Sequence, residues 1–224
     1  MPSSPSFRYA LSDLQTLVSD ELQQMHNLFQ DASCNSISHI ATIINHLVLA
    51  GGKRIRPLLL LSCCKMLGCE DARRIKVASA IEFIHCATLL HDDVVDESIF
   101  RRGVKTSNAI WGNKTSILVG DFLLAVAFQW VVACGSLPIV SVLSDASSTM
   151  ITGEVQQLVY SKDPNITLSK YLEIISAKTA ALFSAACESS AILHDASDAY
   201  RHALKHFGYN FGMAFQILDD ILDY

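Results

Sequence analysis

Apolar residues recur at intervals of three and four along the N-terminal part of the chain, which is the spacing of one helical face. The positions that follow it are Leu11, Leu14, Val18, Leu22, Met25 and Phe29. They predict an amphipathic helix over about residues 10 to 30. A second helical stretch, from Ile37 to Ala50, ends at two glycines, Gly51 and Gly52. Glycine is typical of a helix C-terminus, so a break is expected there.

The rest of the chain also reads as helices separated by proline, glycine and polar breaks. Pro57 suits the first turn of a helix that runs to Gly68, and Asp71 can cap a longer helix from Ala72 through Asp96. Residues 101–112 predict a loop with a short helical turn, and further helices are expected at about 114–134, 138–160, 167–194 and 198–224. No segment alternates with a period of two. The expected fold is all-α, an antiparallel helical bundle around a central cavity, formed by a single domain over residues 1–224.

The longest apolar run, from Ile117 to Cys134, could form a membrane-spanning helix or a helix of a protein core. Asp121 and Gln129 interrupt it, and a charged residue is costly inside a spanning helix. We therefore expect a core helix and no transmembrane segment. Apolar residues make up 50% of the chain and the mean hydropathy is +0.31, which is high for a soluble monomer. This surplus predicts helices buried centrally or against a second copy in a homodimer.

Charge and cysteine content narrow the kinds of partner. The formal net charge of −5 argues against nucleic acid, because a phosphate backbone attracts basic surfaces. Residues 1–7 contain neither a basic nor an apolar signal segment, so a cytoplasmic location is expected. The seven cysteines form no CxxC pair or other zinc spacing, and we expect buried, reduced thiols.

Two DDxxD motifs carry the first chemical signal. Asp92 and Asp96 are four residues apart, as are Asp219 and Asp223, so each pair lies on one face of a predicted helix. Such carboxylates repel each other unless a cation neutralises them, and paired carboxylates with waters and a substrate phosphate form a typical Mg²⁺ site. Apolar sequence precedes both motifs, which argues against a merely solvated acidic face. We predict several Mg²⁺ ions between facing helices, where they would bind a diphosphate and stabilise its departure.

Two basic clusters supply groups for an anionic ligand. One is the segment 51–57, with Lys53 and Arg56, and the other is the segment 101–103, with Arg101 and Arg102. Guanidinium forks and free backbone N–H groups at a loop or helix start suit phosphate oxygens. Either cluster alone would suit an ordinary solubilising loop. Together with two acidic motifs, they predict a cavity that binds diphosphates.

Single polar residues near the motifs are open to two interpretations. His85 lies two helical turns before Asp92, where it either faces the same cavity or is a buried core histidine. Gln216 lies one turn before the second motif, where its amide could stabilise a cation. Lys178 and Thr179 interrupt an apolar helix, which indicates either function or a buried polar contact.

Six short motifs extend over nearly the whole chain. They are Gly51–Pro57 (GGKRIRP), Leu89–Glu97 (LLHDDVVDE), Arg101–Gly103 (RRG), Gly120–Leu123 (GDFL), Lys178–Thr179 (KT) and Phe215–Asp220 (FQILDD). In this order they resemble the trans-type polyprenyl diphosphate synthases, in particular the octaprenyl- or solanesyl-like enzymes of medium and long product length. The resemblance implies an all-α isoprenoid synthase fold and a prenyltransferase. An allylic prenyl diphosphate would ionise at the Mg²⁺ cluster, the double bond of isopentenyl diphosphate would attack the carbocation, and a proton would be lost.

The resemblance also assigns roles residue by residue. Isopentenyl diphosphate would be held by Lys53, Arg56, His85 and Arg102. The allylic substrate would contact Arg101, Lys178, Thr179 and Gln216, of which Lys178 and Gln216 would act in catalysis together with Asp92 and Asp96. The Mg²⁺ ligands would be Asp92, Asp96 and Asp219.

Product length in this family depends on residues one to two turns before the first motif. An aromatic residue at the place of Ala87 or Thr88 marks short products there. This chain instead has Ile84, Ala87 and Thr88, so we expect a wide chain-length pocket. Members of the family continue with further helices after the second motif, so the chain, ending at Tyr224, is expected to be C-terminally incomplete relative to them.

Two alternatives to an active synthase stay open at this point. One is a noncatalytic partner subunit that binds prenyl diphosphates or pairs with a full-length synthase. The other is an HD-type metal phosphohydrolase, suggested by the adjacent His91 and Asp92 on a helix.

Overall fold

The computed structural model describes residues 5–49, 52–161 and 163–222, with the backbone alone for residues 5–8 and 48–49. Helices account for most of these residues, as the all-α prediction requires. In chain order the elements are α1 (Pro5–Leu17), α2 (Ser19–Cys34), α3 (Ser38–Ile44), α4 (Ile55–Leu67), α5 (Arg73–Val95), β1 (Phe100–Arg101), β2 (Val104–Lys105), α6 (Ser107–Trp111), α7 (Asn113–Ala133), α8 (Leu137–Tyr160), α9 (Leu168–Ile175), α10 (Ala181–Leu193) and α11 (Asp198–Leu222). The predicted positions Ala50, Gly51 and Asp223 lie outside the described residues.

The first predicted helix is wrong in its bounds, because two helices cover that stretch. α1 and α2 meet at Val18, whose backbone angles of φ −120° and ψ 28° depart from helical values. The Val18 side chain is fully buried, and Asp20 and Glu21 occupy the first turn of α2. Acidic residues in a first turn are favoured by the helix dipole, which suits a new helix start here.

Two predicted helices are continued by π turns instead of regular α-helix. The first π turn, Asn45–Leu49, follows α3, and the second, Ser176–Ala180, joins α9 to α10. The predicted helix over 167–194 is therefore interrupted at Lys178 and Thr179. A π turn widens the helix locally and is frequent at functional sites.

A small β-hairpin lies where a loop was predicted. Phe100 pairs with Lys105 and Arg101 with Val104, in antiparallel register. The two connecting residues, Arg102 and Gly103, have φ angles of 52° and 80°. Positive φ at both central residues is the mark of a type I′ turn, which matches the twist of paired strands. The short helical turn predicted after it is confirmed as α6.

Helix α5 is the centre of the main hydrophobic core. Its Phe83 is fully buried, stacks on Phe29 at 4.9 Å between ring centroids and meets Trp130 at 4.7 Å. α7 packs along α5 through a stripe of buried residues with four-residue spacing, Val119, Leu123, Ala127 and Val131. Burial of this kind contributes roughly 1.5–3 kcal/mol for each large apolar side chain. The core therefore holds rigidly the helix that carries the first aspartate motif.

Helix α7 is only partly the buried core helix that its sequence predicts. Among the described residues it is long and apolar enough to cross a membrane by length and composition alone, and 33% of its most apolar stretch is buried in this fold. Its outer face exposes Leu118 and Val132, and α8 exposes Ile151 and Val159. The absence of a transmembrane segment and the cytoplasmic location stay predictions.

Two glycines of α11 bring this helix close to α10 and to the second π turn. A Cβ added at Gly208 would lie 2.4 Å from the carbonyl oxygen of Phe183, and one at Gly212 would lie 2.6 Å from the Cα atom of Ala180. Phe183 also meets the rings of Phe211 and Phe215 on α11, at 5.4 and 5.5 Å between centroids. This backbone contact holds the second aspartate motif beside the π turn.

The cysteines are free thiols, as predicted. Burial is confirmed for Cys63, Cys64, Cys69, Cys86, Cys134 and Cys187. The prediction is wrong for Cys34, which is exposed at the last residue of α2.

Candidate active site

The first aspartate motif lies at the C-terminal end of α5, and its members face different surroundings. The Asp92 side chain is 15% exposed, whereas Asp96 follows the last residue of α5 and is exposed. Asp93 is buried and accepts a hydrogen bond from Nε of Arg101 at 2.9 Å. Asp93 thus ties the hairpin to α5, while Asp92 and Asp96 stay available to a ligand.

Lys178 of the second π turn lies between two carboxylates on two other helices. Its Nζ donates to Oε2 of Glu154 on α8 at 2.8 Å and lies 3.7 Å from Oδ2 of Asp92 on α5. Gly153 allows this approach, because an added Cβ would lie 2.6 Å from the backbone nitrogen of Lys178. We call Asp92, Glu154 and Lys178 the α5 cluster. It joins three segments that are distant along the chain.

The pKa of Asp92 is raised to about 6, chiefly because burial disfavours the charged carboxylate. The ammonium of Lys178 acts against this rise, while the negative charges of Glu154 and Asp96 add to it. The carboxylates around Asp92 are therefore close enough to repel one another. Such repulsion is what a hard divalent cation relieves.

The second aspartate motif is held by a series of hydrogen bonds. Thr179 Oγ1 donates to Gln216 Oε1 at 2.7 Å, and Gln216 Nε2 donates to Asp220 Oδ1 at 2.8 Å. The hydroxyl of Tyr171, on α9, donates to the other oxygen of Asp220 at 2.5 Å. We call these four residues the α11 network. Asp219, the predicted metal ligand, is half-buried beside it.

The two basic segments meet at the hairpin turn. A Cβ added at Gly52 would lie 3.3 Å from Nη1 of Arg102, so the first basic loop touches the hairpin turn. Arg56 is the second residue of α4, and its guanidinium lies over the Phe183 ring, 4.4 Å from the ring centroid. Its Nε is buried without a hydrogen-bond partner. A buried donor without a partner is costly, and an anionic ligand here would satisfy it.

His85 belongs to the same basic region. Burial lowers its pKa well below the usual value, and the positive charges of Arg56, Arg102 and Arg101 lower it further. The imidazole is therefore neutral at physiological pH and can donate a hydrogen bond from one ring nitrogen. Arg56, His85, Arg101 and Arg102 form what we call the basic cluster.

Sequence reasoning missed two acidic residues that shape these clusters. Glu82 is buried, and this burial raises its pKa. The positive charges of Arg56, Arg54 and Arg102 act to lower it. Glu154 is the partner of Lys178. A signal for it existed, because it is the only charged residue of the stretch 146–160. Glu82 could have been found one helical turn before His85 on the same face.

The predicted chain-length residues lie inside or beside the main core. Ile84 and Ala87 are buried in the apolar cluster around α5. Thr88 is half-buried, and its hydroxyl donates to the carbonyl oxygen of His85 at 2.8 Å. A larger side chain at either buried position would have to displace its neighbours.

The donor set around Asp92 fits Mg²⁺ but not a cage made of protein ligands alone. Within the described ranges, no three histidine, cysteine, aspartate or glutamate side chains are grouped closely enough to hold an ion by themselves. Mg²⁺ is bound through one or two carboxylates plus waters and substrate phosphates. Asp92 and Asp96, with Asp219 on the facing helix, could supply such carboxylates.

The side chain of His91 turns away from Asp92. Its Nε2 lies 3.2 Å from the carbonyl oxygen of Ile117 and 3.5 Å from Oδ1 of Asp121, both on α7. A Cβ added at Gly120 would lie 2.3 Å from the same ring nitrogen, so His91 fills the gap at this glycine. A His–Asp pair on one metal ion, as the HD-type hydrolase alternative requires, is not formed here.

Comparison with solved structures gives close matches to the whole fold. A decaprenyl diphosphate synthase from Rhodobacter capsulatus superposes with a TM-score of 0.93 at 40% identity, over 96% of this chain and 66% of that one. A polyprenyl synthase from Caulobacter crescentus, complexed with calcium and isoprenyl diphosphate, gives a TM-score of 0.93 at 43% identity, over 96% and 65% of the two chains.

Sequence comparison agrees with the structural matches. The octaprenyl diphosphate synthase of Haemophilus influenzae is 41% identical over 215 residues, which are 96% of this chain and 65% of that protein. The chain therefore spans just under two thirds of that relative's length. The sequence pattern of the polyprenyl synthetase family matches residues 37–224. The HD-type alternative is therefore wrong, and the chain belongs to the polyprenyl synthetase family, homologous to the trans-polyprenyl diphosphate synthases.

Proposed function

We propose that this chain condenses isopentenyl diphosphate with an allylic prenyl diphosphate, with Mg²⁺ as cofactor, to give a medium- to long-chain polyprenyl diphosphate. The observation that carries the proposal is the second π turn. Its consecutive residues Lys178 and Thr179 point to different helices, Lys178 to Asp92 on α5 and Thr179 to Gln216 on α11. One diphosphate placed between these helices can therefore meet both aspartate motifs at once.

Ionisation of the allylic substrate needs a site that stabilises the departing diphosphate. Mg²⁺ held by Asp92, Asp96 and Asp219 would neutralise the charge that develops on this leaving group. Lys178 and Arg101 would add positive charge, and Thr179, whose hydroxyl donates to Gln216, would contact the same substrate. The amide oxygen of Gln216 would lie near the allylic cation.

Isopentenyl diphosphate would be held by Lys53 and by three members of the basic cluster, Arg56, His85 and Arg102. The buried Nε of Arg56, which has no hydrogen-bond partner, supports this placement, since a diphosphate oxygen would satisfy it. Neutral His85 would add a hydrogen bond to a diphosphate that already meets Arg56 and Arg102. Bound there, isopentenyl diphosphate would direct its double bond toward the allylic carbon. The allylic C–O bond would break first, the double bond of isopentenyl diphosphate would then form the new C–C bond at the allylic cation, and loss of a proton would restore a double bond.

The alternative, a noncatalytic partner subunit that binds prenyl diphosphates, is tested in the same assay. The chain is incubated with farnesyl diphosphate, labelled isopentenyl diphosphate and Mg²⁺, and the products are sized by chromatography. Elongated polyprenyl diphosphates support the synthase. Metal-dependent binding of farnesyl diphosphate without any product favours the partner subunit. No binding and no product contradict both.

The chain-length pocket is tested by Ala87→Phe, which should shorten the products. The aromatic ring would fill the space beneath the allylic diphosphate that a growing chain must enter. Because Ala87 is fully buried, Thr88→Phe, at a half-buried position, serves as a second variant if the first does not fold. Ala199→Phe, at an exposed position on α11, is the matched control. Unchanged product lengths in both folded variants would count against the assignment.

We also propose a homodimer through the apolar faces of α7 and α8. Exposed Leu118, Val132, Ile151 and Val159 leave apolar area in water that a second copy would cover. Sedimentation analysis should give a dimer for the wild type and a shift toward monomer for Val159→Glu. A monomeric wild type at micromolar concentration would contradict this.

A further inference from the structure

Lys178, which would bind the diphosphate in the proposed function, also lies where a metal ion would approach Asp92. Its ammonium lies 3.7 Å from the Asp92 oxygen that a metal ion would approach. A cation cannot reach that oxygen fully while another cation occupies the approach. Metal binding at Asp92 therefore requires Lys178 to withdraw.

Glu154 provides the place to which Lys178 can withdraw. The Nζ of Lys178 is already closer to Glu154, at 2.8 Å, than to Asp92. Glu154 and Lys178 are held in register by direct backbone contact, since an added Cβ at Gly153 would lie 2.6 Å from Lys178 N. The side chains of Glu154, Lys178 and Asp92 are 28%, 24% and 15% exposed, so an ion can enter from solvent.

The charges of the α5 cluster support an exchange of this kind. One ammonium faces the carboxylates of Asp92 and Glu154, so the three groups carry a net charge of −1, and Asp96 adds to it. A divalent ion on Asp92 would neutralise this excess, and the repulsion between the ion and the ammonium is smaller if the ammonium stays on Glu154. Without Glu154, Lys178 would have Asp92 as its one carboxylate partner in the cluster.

We propose that Glu154 is a positioning residue that holds Lys178 away from Asp92, so that a divalent cation can bind Asp92 and Lys178 can turn to the diphosphate. This inference rests on the proposed function for the diphosphate step. Glu154 is not itself a metal ligand in this scheme. It acts through Lys178, and that indirect action is what separates the proposal from a simple extra carboxylate.

The test is a cycle of four proteins, which are the wild type, Glu154→Gln, Lys178→Gln and the double variant. The probe is Mn²⁺, which prefers oxygen ligands as Mg²⁺ does and whose free ion is counted by electron paramagnetic resonance. Glu154→Gln should weaken Mn²⁺ binding on the order of 10-fold, because Lys178 then closes on Asp92. Lys178→Gln should tighten it by a similar factor. In the Lys178→Gln background, Glu154→Gln should change binding by about twofold at most.

Two results would overturn the proposal. One is an equal loss of Mn²⁺ affinity on Glu154→Gln with and without Lys178, which would make Glu154 a direct ligand. The other is unchanged or weaker Mn²⁺ binding in Lys178→Gln. Glu173→Gln is the matched control, because Glu173 also forms an ion pair with a lysine, Lys170 of α9, at 2.8 Å. This variant should leave the Mn²⁺ affinity unchanged. Lys178→Met replaces Lys178→Gln if the latter does not fold.

Failure of the proposed function gives a different pattern. Farnesyl thiodiphosphate, an allylic analogue that resists ionisation, is titrated into each protein with Mn²⁺ present. If the wild type binds Mn²⁺ but no analogue, the diphosphate site is wrong while the Mn²⁺ cycle still decides the role of Glu154. If the analogue binds, Lys178→Gln should weaken it on the order of 10-fold although Mn²⁺ alone binds more tightly.

Discussion

The two aspartate motifs are alike in sequence but lie in different physical environments. Asp92 is mostly buried among charged groups from other segments. The Nζ of Lys178 lies 3.7 Å from Oδ2 of Asp92 and 2.8 Å from Oε2 of Glu154. Asp220 of the second motif is half-buried and is held by hydrogen bonds from Tyr171 and Gln216. The first motif is thus governed by charge in a poorly solvated site, and the second by hydrogen bonds near the surface.

This difference teaches which substitutions should matter most. Charges in a partly buried site interact strongly and depend on pH and metal ions, whereas a neutral hydrogen bond contributes about 1 kcal/mol. Changes in the α5 cluster should therefore have larger effects than changes in the α11 network. The opposite order of effects would break the distinction.

The largest effect is expected for Asp92→Asn. Loss of the carboxylate removes the proposed metal ligand and the charge that balances Lys178, so the proposed condensation should slow on the order of 10²–10³-fold. The rate of isopentenyl incorporation at saturating Mg²⁺ measures this, or Mg²⁺-dependent farnesyl diphosphate binding if the chain only binds. Asp145→Asn, an exposed carboxylate on α8, is the control. A variant within a few-fold of wild type would remove Asp92 from the metal site.

The second-largest effect is expected in the pH dependence of the free energy of unfolding, to which Asp92 of the first motif should contribute. The pKa of Asp92 is raised to about 6 in the folded state, above its unfolded value, so the folded state binds more protons between pH about 4 and 6. The free energy of unfolding of metal-free protein should therefore fall as pH rises through this window, by up to about 3 kcal/mol. Urea unfolding of Asp92→Asn should lack this fall. Matching pH profiles for the two proteins would contradict it.

Arg56→Met should weaken isopentenyl diphosphate binding by about 10–100-fold, because it removes a charge-assisted donor from the basic cluster. Methionine keeps the apolar packing of the side chain on Phe183. The KM for isopentenyl diphosphate should rise while that for the allylic substrate changes little. Arg74→Met, which breaks the 3.3 Å ion pair with Glu21 away from the site, tests for a general loss of stability. Equal rises in both KM values would argue against separate sites.

The smallest effect is expected in the α11 network. Thr179→Val keeps the shape of the side chain but removes the hydroxyl that donates to Gln216, so the KM for the allylic substrate should rise about 2–10-fold. Thr152→Val, at an exposed position on α8, is the matched control. A loss as large as that of Asp92→Asn would show that the second motif is also governed by charge.

Much of the fold was predictable because helix periodicity is a local property of the sequence. Through its proline, glycine and polar breaks, the sequence predicted the helices from α4 onward within a few residues, apart from the π turn between α9 and α10. It did not predict the break at Val18 or the π turns, since these depend on packing between helices. The hairpin was missed because two-residue strands are too short to show a period of two.

The candidate site was predictable where residue type alone reveals chemistry. The DDxxD motifs, the basic segments and the Lys178–Thr179 pair all stand out from their apolar surroundings. Their assigned roles stay proposals. Glu82, Glu154 and Tyr171 were missed, because the contacts that make each of them important are to residues distant in the chain.

The sequence by itself determined the family, the helical class and the presence of two acidic and two basic motifs, since these follow from residue types and short spacings. Only the tertiary structure decided how the motifs are used. It buried Asp93 against Arg101, placed the mostly buried Asp92 beside Lys178, and paired Lys178 with Glu154, which is distant in the chain. The physical reason is that burial and charge pairing depend on distances between helices, which no local pattern encodes.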